Sequence, residues 1–368
     1  MAVKASGSSL SFSEIETEFG QNSDRDLGEY RVSQTVGGLS NQPLDTSIPQ
    51  SGAIKFSDFY SKRLNVVIDY HSGSTENRPN DARTKYQAGS ASGNRTVIGG
   101  FKDRISGNSS GSKVRIHVNK TIGSAVGNIN NCAVRTGSFE TGTVMTVEVG
   151  SSGAIYGAGG NGGEAGTSDS DKDGENGGSG SSGLGVQFSG TTVINNGVIS
   201  AGYGGGGGGG YRKVEREEMF GGPVYAANGG GGGGGQGLPA GEGIDGGTDG
   251  TTTAGGNGGN GGENSQAHGG GGGGGGSNGT GGEGGNNNDG GNGTSSSGGN
   301  GADGTHTGSI ESENNVQGEG GTGGGNGAAI RRTSGITVNI SNASNSSLFG
   351  DNAQTGSVTG ADDATGVS

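Results

Sequence analysis

Cysteine occurs once in this 368-residue chain, at Cys132, and tryptophan does not occur. No intrachain disulfide can therefore staple the fold. Proline is confined to Pro43, Pro49, Pro79, Pro223 and Pro239, which excludes a collagen triple helix, since that needs abundant proline in strict Gly-X-Y register. No apolar run approaches the roughly 20 residues that span a bilayer, so membrane insertion is not expected. The start, Met1-Ala-Val-Lys-Ala-Ser-Gly7, lacks the apolar core of a signal peptide. Synthesis in the cytosol, with retention there or exit by a route such as cell lysis, follows as the expectation. Basic residues are scarce after residue 150, where 6 Lys+Arg face 21 Asp+Glu; before it the numbers are 16 and 14, and the whole chain carries −13. An acidic surface repels phosphates, so nucleic acid is not an expected partner. His-Glu-x-x-His and paired-cysteine signatures are missing, and no Gly-Lys-Ser/Thr follows a glycine run. An enzyme is not expected, and no cofactor.

What the chain has is glycine: 95 residues in all, 72 of them among the 180 residues of 151–330. Average usage is about 7%. Gly255-Gly-Asn-Gly-Gly-Asn-Gly-Gly-Glu263 repeats a Gly-Gly-X triplet, and pure runs stand at 204–210, 229–235 and 269–276. A period of three fits neither helix nor strand. It fits an extended helix with three residues per turn, which makes no internal hydrogen bonds. Its backbone groups need partners, and without Cβ atoms neighbouring tracts can approach closely enough to supply them, with Asn257 and Glu263 facing outward. A disordered linker or matrix is the competing reading of the composition.

Before this body, Leu10-Ser-Phe-Ser-Glu-Ile15 recurs as Ile54-Lys-Phe-Ser-Asp-Phe59. Each reads as a short strand followed by a capped helix, with Ser13 and Glu16 as a capping box and Gly20 as the helix stop. Residues 1–62 are thus expected to form a small α+β module. Leu64–Tyr70, Thr96–Phe101, Lys113–Val118 and Val144–Val149 are rich in β-branched residues, and residues 63–150 read as an antiparallel sheet or sandwich. His71 and His117 have no metal-ligand spacing and are expected at the surface. Val149-Gly-Ser-Ser-Gly-Ala-Ile155 echoes Val193-Ile-Asn-Asn-Gly-Val-Ile199, and Ile336–Ile340 reads as a further strand of that type.

Two resemblances attach to these residues. Ser11–Phe19 with Ile48–Tyr60 resembles the opening module of virion structural proteins of marine and other tailed phages. That implies attachment of residues 1–62 to a parent tail-fibre or other virion protein. Ile155-Tyr-Gly-Ala-Gly-Gly-Asn-Gly-Gly163 and Asn195–Gly210 resemble the glycine-rich motifs of distal tail-fibre adhesins of T-even-like bacteriophages. In that family a sandwich of polyglycine type II helices presents variable loops to receptors on the bacterial surface. The resemblance implies a virion location and a bacterial outer-surface protein or glycan as partner. The expected fold is mixed: an N-terminal module (1–62), a β-rich connector (63–150), a polyglycine II sandwich with protruding loops (151–330), and a C-terminal strand and tail (331–368). One copy per tip and a homotrimer both fit.

Loops between tracts are the candidates for a site. The segment 211–225 gathers Tyr211, Arg212, Lys213, Arg216, Phe220 and Tyr225, residue types that dominate binding hot spots. Asp169, Asp171 and Asp173 form the front half of a calcium loop of the EF-hand kind, but Gly180 stands where the bidentate glutamate belongs, so a solvated acidic turn is the preferred reading. His268 and His306 show no partner in the sequence. A passive structural fibre component and an ice-binding polyglycine protein are the alternative functions.

Overall fold

A computed structural model describes residues 3–19, 27, 49, 52–62, 66–70, 91–92, 95–98, 113–124, 129–137, 141–215, 222–307, 315–342, 347–349 and 356–357. One α-helix, α1 (Phe12–Phe19), and a 3-10 turn (Phe56–Phe59) precede the first strands, β1 (Val66–Tyr70), β2 (Ala91–Ser92) and β3 (Arg95–Ile98). Then come β4 (Lys113–Val118), β5 (Thr121–Ile122) and β6 (Cys132–Arg135), followed by β7 (Val144–Val149), β8 (Ala154–Tyr156) and β9 (Ser182–Val186). β10 (Thr191–Asn195) and β11 (Val198–Ser200) lead into the glycine body. That body carries β12 (Arg212–Glu215), β13 (Val224–Ala227), β14 (Ala267–His268), β15 (Thr305–His306) and β16 (Val316–Gln317). β17 (Ile330–Arg332), β18 (Val338–Asn342), β19 (Ser347–Phe349) and β20 (Gly356–Ser357) close the chain.

Pairing turns this list into a coil. β1, β4, β7, β10 and β18 lie side by side and parallel. So do β5, β8, β11 and β19, and β6, β9 and β17. Successive turns of the chain thus lay one strand into each of three parallel sheets. Aliphatic residues stack in register between turns: Ile116 on Val147 on Val193 on Ile340, Ile122 on Ile155 on Ile199, and Val134 on Leu184 on Ile330. All of these belong to one buried cluster, so each turn of the coil buries apolar surface against the next. The antiparallel strands β3 and β20 pair with β1 and β18 near the two ends of the largest sheet, the kind of closure that blunts an open edge.

Three expectations are corrected here. The fold is mainly β rather than mixed, and among the described residues there is no α+β N-terminal module. Leu10–Ser11 and Ile54–Lys55 make no strand, because two or three alternating residues offer too few ladder bonds to hold one. Instead Val3, Ile15 and Phe59 join the buried cluster of the coil, while Phe12 and Phe56 meet edge to face with centroids 6.2 Å apart. The capping box sits two residues earlier than expected: Glu14 accepts from Ser11 N at 2.8 Å, and Glu14 N donates to Ser11 Oγ at 3.3 Å. Lys4 also reaches Glu14, at 2.6 Å, and its charge-assisted bond with those from Ser11 lowers the Glu14 pKa to about 2. Residue 20 lies outside the described residues.

Second, the section expected to be antiparallel is dominated by parallel pairing. Alternation along one strand reveals which residues are buried but not the direction of the neighbour. Third, His117 is fully buried on β4 rather than at the surface; residue 71 lies outside the described residues.

The glycine body grows out of the coil between β8 and β9 and again between β11 and β17. Its tracts have no strand character, and they bond to one another at every third residue. The tract 201–211 is central. Gly202, Gly205, Gly208 and Tyr211 donate to Ser181, Gly178, Glu175 and Lys172. Tyr203, Gly206 and Gly209 donate to Gln236, Gly233 and Gly230, and Gly207 and Gly210 to Gly299 and Ala302. Three further tracts donate into it, through Gly160, Gly163 and Gly166, through Gly270, Gly273 and Gly276, and through Gly318, Gly321, Gly324 and Gly327. Six tracts therefore surround one, and successive amides of the centre point to different neighbours.

Glycine is required by this closeness. A Cβ on Gly205 or Gly208 would fall on the carbonyl of Asn161 or Glu164, well inside contact distance. The non-glycine positions of outer tracts do more than face solvent. Asn257, Asn260, Asn300, Asn176 and Asp173 accept from the amides of Thr280, Glu283, Gly323, Thr322 and Glu319 at 2.8–3.0 Å. At the rim, where a neighbouring carbonyl is missing, a side chain supplies the acceptor.

Candidate functional site

The direction of the tracts sorts the loops into two groups. Beginning at β11, tract 201–211 runs away from the coil and ends at Tyr211. Its antiparallel partners start level with Tyr211 and return. Turns near 238, 252, 278 and 295 therefore lie at the coil end, where Ser124 N of the coil donates to Leu238 O at 2.9 Å. The short turn at 244–247 and the described ends of five longer connections, at 167–173, 211–215 with 222–228, 263–268, 285–290 and 304–307 with 315–318, lie towards the far end. That far end is the tip, and the described residues of 211–225 are on it.

Within the tip, β12 pairs antiparallel with β13, placing Arg212 opposite Ala227, Lys213 opposite Ala226, Val214 opposite Tyr225 and Glu215 opposite Val224. β16 flanks β12 on the other side, and β14 pairs with β15 beside this sheet. Val214, Ala227 and Ala267 form a small separate core with Tyr225 packed on it. Strand parity divides the candidate residues. Arg212 points inward at 2% exposure, and Tyr225 is half-buried on the same face. Lys213 and Glu215 share the other face with Val224, which is 52% exposed, and Ala226. Tyr211, at the end of its tract, is also buried. Arg216 and Phe220 lie outside the described residues.

Lys213 and Arg212 each have polar partners on neighbouring connections. Lys213 Nζ donates to Asp169 Oδ2 at 2.6 Å, and that bond raises the lysine pKa. Burial pushes the Tyr211 hydroxyl up, and the Asp169 carboxylate adds to the effect. Arg212 reaches Gln317 Oε1 at 3.4 Å and His306 Nδ1 at 3.2 Å; burial lowers its pKa from the ordinary guanidinium value. Burial chiefly, then the charges of Arg212 and His268, hold His306 below the usual histidine value. His268 Nε2 lies 3.3 Å from Thr307 Oγ1. The two histidines thus have neighbours that the sequence did not reveal, because those neighbours stand on other connections ending at the same tip.

The three aspartates do not converge. Asp169 is held by Lys213, and Asp173 by Lys172 Nζ at 2.7 Å and the Glu319 amide, bonds that lower the Asp173 pKa. Among the described residues no group of three or more His, Cys, Asp or Glu is placed to hold a metal ion. Among them too, no helix is long and apolar enough to cross a membrane.

Sequence reasoning missed His268, His306 and Gln317 as tip residues and did not single out Val224 within 211–225. The usable signal for the first three was topological: they stand beside glycine runs whose ends must meet. No curated protein and no solved structure matches the chain. Residues 83–279, more than half of the chain, match the family described as phage tail fibre adhesin Gp38. That span contains the second to fourth turns of the coil up to β11, the central glycine tract and the tip hairpin β12–β13; by this match the chain belongs to the phage tail fibre adhesin Gp38 family.

Proposed function

We propose that this virion protein is the receptor-recognising tip of a tail fibre, with the loops at the end remote from the coil meeting a protein or glycan of the bacterial outer surface. The convergence of five connections at one end carries this reading. They bring Tyr211, Arg212, Lys213, Tyr225, His268 and His306 together in a body otherwise built from glycine and small polar residues. The lateral bonds at every third residue support reading the tracts as polyglycine II helices. Such a scaffold is stiff because its backbone is the cohesive element, and stiffness lowers the ordering cost of recognition. Residues 1–62 serve as the attachment end towards the parent virion protein. Val3, Ile15 and Phe59 of this segment belong to the buried cluster of the coil. The likeness to T-even-like tip proteins is proposed for the glycine body only.

Replacing 211–225 by a Gly/Ser linker of equal length tests the reading. Binding of the purified chain to intact cells of the strain on which the phage propagates is expected to weaken at least tenfold, about 1.4 kcal/mol. Unchanged binding would favour a passive structural role.

A further inference from the structure

We propose that the outer edge of β13 is a strand-addition site that takes a short extended polypeptide segment of the receptor; this rests on the tip being the recognition end. In the antiparallel β12–β13 pair, residues alternate between those bonded to each other and those whose N–H and C=O face away. Glu215 N donates to Asn315 Oδ1, at 3.4 Å, just before β16, so Glu215 faces β16 rather than β13. Its opposite residue, Val224, and Ala226 two further on then turn their backbone groups outward. The Ala226 carbonyl accepts from Asn264 Nδ2 at 3.4 Å, which places it on that outer side. The outward N–H and C=O of Val224 and the N–H of Ala226 have no partner among the described residues.

The side chains fit such a partner. Val224 at 52% exposure and Ala226 form a small apolar strip, and Lys213 and Glu215 stand behind it on the same face. Strand addition draws affinity from main-chain bonds and specificity from alternate side chains, which this edge supplies. Sugars stack on exposed aromatic faces, whereas the tip tyrosines among the described residues are buried (Tyr211) or half-buried (Tyr225). A second copy pairing through the same edge would bury the two tips against each other.

The test uses the full chain and outer-membrane vesicles from the propagating strain. Ala226→Pro removes an outward amide without touching a bond to β12, a change that edge strands tolerate. Affinity is expected to fall at least tenfold for this variant and to be lost on vesicles treated with proteinase K. On binding, amide exchange at Val224 and Ala226 is expected to slow while that of Val214 stays unchanged. The exchange measurement on the wild-type chain decides the matter should the variant fail to fold. Retained affinity for Ala226→Pro, with the 211–225 replacement inactive, would overturn the edge while leaving the tip reading in place. Retained affinity for both would overturn the tip reading itself. Binding that survives the protease, or dimerisation of the free chain that Ala226→Pro abolishes, would also overturn the proposal.

Discussion

Glycine residues in this chain are not equivalent, and substitution separates them. At Gly208 a methyl group would meet the Glu164 carbonyl of an adjacent tract, and that backbone is itself bonded on both sides. At Gly325 the same methyl would meet nothing within 4 Å. Gly208→Ala is expected to destabilise by about 3 kcal/mol, at the upper end of overpacking costs. Gly325→Ala is expected to be neutral or stabilising by up to about 1 kcal/mol, because alanine restricts the unfolded chain. Chemical denaturation of the two variants checks the contrast. Asn326 offers a second residue-level test: its side chain is buried, accepts from Gly204 N at 3.0 Å and donates to Ser295 O at 2.9 Å. Asn326→Ala leaves a buried amide unsatisfied and is expected to cost about 1–3 kcal/mol.

At the scale of elements, the tip sheets carry a pH dependence. The folded state holds His306 below its unfolded value of about 6.5, so it binds the proton less readily than the unfolded chain. Stability from this group is therefore full above about pH 6.5 and declines as the pH falls towards the folded value. His306→Gln is expected to flatten the slope of unfolding free energy between pH 7 and 5; an unchanged slope would assign the dependence elsewhere. The sequence disclosed these elements unevenly. β-Branched runs located β1, β4, β7 and β18, and the echo of Val149–Ile155 in Val193–Ile199 located two turns that stack, Ile155 on Ile199 in register while Val193 pairs with Val147. Strand direction stayed hidden, because burial alternates alike in parallel and antiparallel sheets. The N-terminal repeats misled because three alternating residues specify no partner, and their apolar side chains found the coil core instead. In the hairpin, Arg212, Lys213 and Tyr225 were visible as residue types. Which of them faces inward depends on parity relative to Val214 and Ala227, and that depends on a small core shared with Ala267 from another loop.

For the whole molecule, the coil and the glycine body divide the labour. The coil holds nearly all the large buried aliphatic side chains. The body has almost none and is cohesive through backbone bonds whose three-residue repeat was legible in the Gly-Gly-X triplets. Its end-to-end polarity, with coil-side turns at one end and five longer connections at the other, is the ground on which recognition is proposed for the tip. A bulky group attached at either end tests this most directly. Ser265→Cys places an exposed thiol on the tip and Thr253→Cys places one on a coil-side turn, while Cys132 is buried and shielded from the reagent. After coupling to maleimide-polyethylene glycol, adsorption of the purified chain to cells of the propagating strain is measured. Loss of adsorption for the Ser265→Cys conjugate with full adsorption for the Thr253→Cys conjugate is the expected result; equal adsorption, or loss only at Thr253, would contradict it.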